Sequence, residues 1–110
     1  MPAVRSWNFA NINVAATGDI VAASATSRFV VYAFALVNGV ATAQEVTFRS
    51  GTTALVGPLD LPSSIGGGVT MVGNMNSAPL FQTNPGEALN VLLGAATQVD
   101  GFVSYYVVRA

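Results

Sequence analysis

The chain contains no cysteine, no histidine and no lysine, and its charge is confined to four arginines and five acids among 110 residues. Without cysteine there is no disulfide framework, no thiolate nucleophile and no cysteine-based zinc site. Without histidine there is no Ser-His-Asp triad, no HExxH metal site and no switch titrating near neutrality. Without lysine there is neither a Schiff base nor the phosphate lysine of a P-loop. A net charge of −1 and a pI near 4.9 leave no basic footprint for nucleic acid. Most common enzyme classes fall with these omissions, and carboxylate chemistry is what remains.

What is present is apolar. Hydrophobic residues make up 52% of the chain and charged residues 8%, against about 25% charged in ordinary soluble domains. Surface charge normally keeps proteins apart, so the composition predicts a subunit covered by copies of itself or by a partner. The length gives one domain, residues 1–110, able to bury roughly 65% of its unfolded surface. The longest strongly apolar run, Phe29 to Val37, has nine residues, short of the ~20 that a spanning helix needs. Asn8, Asn11 and Asn13 interrupt any signal-peptide core. The expectation is a soluble protein, with no membrane partner and no cleaved export signal.

Val, Thr, Phe, Tyr and Ile dominate the apolar runs, and turn residues recur about every 8 to 12 positions. No stretch keeps a helical i, i+3, i+4, i+7 stripe. This patterning predicts an all-β antiparallel β-sandwich, jelly-roll-like, of about eight strands. Ser6 to Val14 carries Trp7 and Phe9 on one parity, then Ile12 and Val14 on the other, which predicts a bulge near Ala10-Asn11. Residues 1–14 are also a candidate N-terminal arm. Arg28 to Val37 is the strongest strand. Gln44 to Arg49 and Glu87 to Leu93 alternate cleanly, and Phe102 to Arg109 is the last strand. Two strands are apolar on both parities. One places Phe29, Val31, Ala33, Ala35 and Val37 against Val30, Tyr32, Phe34 and Leu36. The other places Phe102, Tyr106 and Val108 against Val103, Tyr105 and Val107. A strand with one wet face alternates apolar with polar, so the second faces predict cover by another subunit, or by loops of the same chain.

The candidate interface set is therefore Trp7, Phe9, Val30, Tyr32, Phe34, Leu36, Val103, Tyr105 and Val107, with Arg28 and Arg109 at strand ends. Arg28, Arg49 and Arg109 are placed to pair with Glu45 or Asp100 across a subunit boundary, a role that suits arginine. Trp7, Tyr32, Tyr105 and Tyr106 are either a sugar-stacking platform or core and interface rings. Two of Asp19, Glu45, Asp60, Glu87 and Asp100 could form a glycosidase pair, but four of the five lie within two residues of Gly or Pro, where acids serve turns. Asn74, Asn76 and Asn84 indicate polar loops rather than a calcium site. Gly66-Gly67-Gly68 lacks the GK[ST] ending of a P-loop. No catalytic residue, cofactor, metal or small-molecule substrate is expected.

Three segments carry a resemblance. They are VTFRSGTTALVGPLDL from Val46 to Leu61, GGGVTMV from Gly66 to Val72, and PLFQTNPGEALNVLL from Pro79 to Leu93. Together they cover roughly half of the chain, and they resemble small β-sandwich virion proteins of tailed bacteriophages, of the capsid decoration (cement) or head-fibre type. The resemblance implies a homotrimer bound to the major capsid protein, bridging neighbouring capsomers on the capsid surface after synthesis in the host cytoplasm. It implies no catalytic residues. The N-terminal stretch with Trp7 and Phe9 departs from shorter members and is expected to contact a subunit or the capsid. A carbohydrate- or receptor-binding module of a head or tail fibre is the alternative.

Overall fold

A computed structural model describes residues 6–74 and 78–109, the side chains of Ser6 and Trp7 excepted. Nine strands follow one another without a helix among the described residues: β1 (Ser6–Val14), β2 (Gly18–Val21), β3 (Ser27–Asn38), β4 (Gln44–Ser50), β5 (Thr53–Leu61), β6 (Gly68–Val72), β7 (Phe81–Gln82), β8 (Leu89–Leu93) and β9 (Val99–Arg109). β-Branched and aromatic residues favour the pleated, half-buried backbone. Gly51, Gly66 and Gly86 supply the positive φ that three of the turns require.

The strands form two antiparallel sheets packed face to face. One runs β1-β9-β3-β6, with β7 also on β3, and the other runs β2-β8-β4-β5. β6 pairs with Ala33 to Val37 and β7 with Val30 and Val31, so both occupy one strand position, interrupted between Gly73 and Leu80. Counted that way there are eight positions, and the chain crosses between the sheets in the order of a jelly roll. Ser6 to Val14 is a strand of the sheet, paired residue for residue with β9 from Ser6–Val107 to Val14–Val99. The bulge expected near Ala10-Asn11 is absent. The parity change in β1 arises because Phe9 faces outward while Ala10, Ile12 and Val14 face the core.

The bulge lies in β3. Val31 pairs with Tyr105 and Ala33 with Ser104, so Tyr32 is an extra residue between two consecutive partners. One inserted residue exchanges the faces of everything beyond it. Before it Phe29 and Val31 point inward, and after it Phe34 and Leu36 do, all inside one buried cluster. β3 is therefore apolar on both parities because each parity is the core face over half of its length. This corrects the expectation for Phe34 and Leu36, which are 1% exposed and interior. Val103 is fully buried in the same core, with Tyr105 and Val107 packed against it. The supposed second face of β9 is its inner one.

Phe34 and Phe81 from one sheet meet Phe48 from the other, with ring centroids 4.9 to 6.2 Å apart. Rings at such separations add to the gain from area burial. Two buried amides tie down the loops at one end of the sandwich. The Asn38 Nδ2 donates to the carbonyls of Thr42 and Pro62, both at 2.7 Å, and its Oδ1 accepts from the Val40 N–H. The Gln44 Nε2 donates to the Ala95 carbonyl at 2.7 Å and to the Thr97 hydroxyl at 2.9 Å, and its Oε1 accepts from the Ala95 N–H. Full satisfaction is what makes buried amides tolerable.

Candidate interaction surface

The two outer faces of the sandwich have different chemistry. On the four-stranded sheet the core residues Val46, Phe48, Leu89, Val91 and Leu93 face in, leaving Asp19, Glu45, Thr47, Arg49, Asp60, Asn90 and Leu92 outward. The Arg49 Nε donates to Asn90 Oδ1 at 2.8 Å, and Asn90 Nδ2 donates to Asp19 Oδ1 at 2.9 Å. Arg49 thus meets a neutral amide within its own sheet rather than a carboxylate. This face is already hydrogen-bonded and polar.

The five-stranded sheet turns rings outward. Register places Phe9 opposite Ser104, Asn11 opposite Phe102 and Asn13 opposite Asp100. β3 continues these rows with Ala33, Ala35 and Val37, and β6 with Val72, Thr70 and Gly68. Phe9 is 60% exposed and Val72 is 75% exposed. Phe9 stacks on Phe102 at 5.3 Å and 21°, and Tyr32 stacks on Tyr106 at 6.5 Å and 26°. Ala33, Ala35 and Ser104 make a low floor between the rings on β1 and β9 and the exposed Val72 on β6. Tyr106 is buried, so the accessible part of this face consists of Phe9 and Val72 with the half-buried Phe102 and Tyr32, and it carries few charges, as the centre of a protein interface does.

The expected interface residues are divided by this geometry. Phe9, Val30 and Tyr32 belong to the outer face, Val30 lying buried opposite Tyr106. Phe34, Leu36, Val103, Tyr105 and Val107 face the core. The Trp7 side chain and Asn76 lie outside the described residues, although the Trp7 backbone pairs with Tyr106. Arg28 sits on the outer face opposite Val108, with its Nε buried and without a hydrogen-bond acceptor. Arg109 is exposed at the end of β9. Phe102, Tyr106, Val108 and Val72 were not in the expected set. The signal for the first three was Asp100 and Ser104, polar residues of the same parity that mark the wet side of β9.

The carboxylates are dispersed. The Asp100 Oδ1 accepts from Gln98 Nε2 at 2.7 Å, and the same nitrogen reaches Asn13 Oδ1 at 2.6 Å. Glu87 accepts from the Ser50 hydroxyl at 2.6 Å and from Asn84 Nδ2 at 3.0 Å, and these bonds hold its pKa below the ordinary 4.5. Only Glu45 and Asp60 are neighbours, opposite each other on β4 and β5, beside a shallow cavity of about 320 Å³ that Gln44 and Gly94 also line. Both are exposed to solvent. Among the described residues no three acids, histidines or cysteines gather to hold a metal. No protein-family model, curated protein or solved structure matches this chain.

Proposed function

We propose that this chain is a structural virion protein of the capsid-decoration type, which associates with copies of itself and with the major capsid protein on the surface of a tailed-phage capsid. The observation that carries the reading is the contrast between the two outer faces. One is hydrogen-bonded and polar, while the other exposes Phe9 and Val72 beside the half-buried rings of Phe102 and Tyr32, with few charges. Covering such a face removes apolar area from water at about 25 cal/mol per Å² before association costs. It requires no cofactor and no titrating group. The jelly-roll strand order agrees with the resemblance carried by Val46 to Leu61, Gly66 to Val72 and Pro79 to Leu93. In that resemblance the oligomer is a trimer, whose several attachment points strengthen individually weak contacts. Copy number is the test. Quantitative mass spectrometry of purified virions is expected to find hundreds of copies per particle, and a handful or none overturns the reading.

One observation favours a second reading. The Phe9–Phe102 stack, exposed at Phe9 and half-buried at Phe102, lies beside Asn11, Asn13 and Asp100, so a ring face adjoins amide and carboxylate groups able to hydrogen-bond a sugar. A carbohydrate-binding module of a head or tail fibre predicts glycan-array binding that Phe9→Ala abolishes. Absence of binding to any glycan removes it.

A further inference from the structure

The open edges of the two sheets are unequally protected. An edge strand presents unpaired N–H and C=O groups, and proteins blunt it by shortness, bulges, proline or charge. β2 has four residues, a register shift and Asp19. β5 has two register shifts against β4 and carries Pro58 and Asp60. The edge beyond β3 is broken into β6 and β7, with Gly73 and Pro79 between them. β1 has none of these devices. Its nine residues, SWNFANINV, include no charge, no proline and no glycine, and its register with β9 is unbroken. At about 3.4 Å per residue it offers an edge roughly 30 Å long. Among the described residues no strand pairs with its other side.

We propose that the β1 edge is a pairing site for β1 of a second copy, antiparallel, joining two five-stranded sheets into one continuous sheet across a two-fold axis. Three observations select a second copy. Parity requires Ala10 and Ile12 to stay on the inner face and Phe9 on the outer, so residues of like parity must pair. An axis through Ala10 meets this condition, setting Phe9 opposite the partner's Asn11. The strand is neutral, so two identical copies meet without repulsion. The pairing is also closed, because each dimer consumes both unprotected edges and leaves only blunted ones. This inference stands on the sheet edges alone and is independent of the decoration reading.

Amide hydrogen exchange on the whole protein decides the matter, together with light scattering. In the pair every β1 amide from Phe9 to Ile12 is protected, and the protection falls on dilution as the mass drops from two chains to one. In this register Asn11 of each copy lies diagonal to the partner's Asn11, about 7–8 Å away. Asn11 is exposed, so Asn11→Lys preserves the fold. It is expected to weaken pairing about tenfold, and mixing it with Asn11→Glu restores a one-to-one dimer. Alternate β1 amides exchanging at solvent rates in the wild type overturn the proposal, as does an Asn11→Lys variant that pairs as tightly as the wild type. A trimer with a free β1 edge overturns it while leaving the decoration reading intact.

Discussion

Gly101 sits within β9 at a φ of +146°, opposite Leu36 on β3 and Ile12 on β1. A Cβ there would strike the Ala35 carbonyl oxygen, so backbone conformation and space both require glycine. Gly101→Ala is expected to cost about 1–3 kcal/mol, read as a lowered midpoint in chemical denaturation. Leu36→Ala is expected to cost about 2–5 kcal/mol, because the interior cannot close over the lost volume. Phe9→Ala, on the outer face, is expected to change monomer stability by less than about 1 kcal/mol. Equal losses for the two would contradict their placement. Glu87 provides a pH test. Its bonds from Ser50 and Asn84 favour the ionised form, so its folded pKa lies below the unfolded value. The stability these bonds confer is complete above the ordinary carboxylate range and is lost as pH falls through the depressed folded pKa. Thermal melts descending through pH 4.5 are expected to fall less steeply for Glu87→Gln than for the wild type.

At the scale of the element, Tyr32 governs β3. Deleting it would make the pairing with β9 regular and turn Phe34 and Leu36 to the outside, so the deletion variant is expected not to fold. Tyr32→Ser retains the residue count and is expected to keep the native circular dichroism. A folded deletion variant would contradict the bulge. The same residue explains what the sequence left illegible. Strand positions, the sandwich and its jelly-roll character follow from period-2 patterning and turn residues, and β4 and β8 read directly because Glu45, Thr47 and Asn90 mark the polar parity that faces away from the core. β3 carries no polar marker between Arg28 and Asn38, so an inserted residue leaves no trace in hydropathy. Its two apolar parities read as two covered faces. In β1 the asparagines at 11 and 13 did carry the signal, placing Phe9 outside without any bulge. Asn38 and Gln44 read as ordinary loop-edge polar residues, because the partners that make their burial tolerable include Pro62 for Asn38 and Ala95 and Thr97 for Gln44, which lie 24 and more residues away in sequence.

For the whole molecule, low charge and an aromatic outer sheet face have one physical account. A monomer in water gains nothing from exposing Phe9, Phe102 and Val72 together, whereas an assembled subunit removes them from water. Part of the apolar surplus first assigned to that face is ordinary core, since Phe34, Leu36, Val103, Tyr105 and Val107 turn inward. The face that remains is smaller and runs across β1, β9, β3 and β6, and β1 adds an unprotected edge beside it. Arg28, with its buried Nε lacking an acceptor, lies on the same face, and the proposed assembly would offer it one. The most direct test of a subunit made to be covered is its molar mass in dilute solution. Light scattering on the wild-type chain at micromolar concentration is expected to give at least twice 11.3 kDa. A mass of one chain throughout that range would contradict the account.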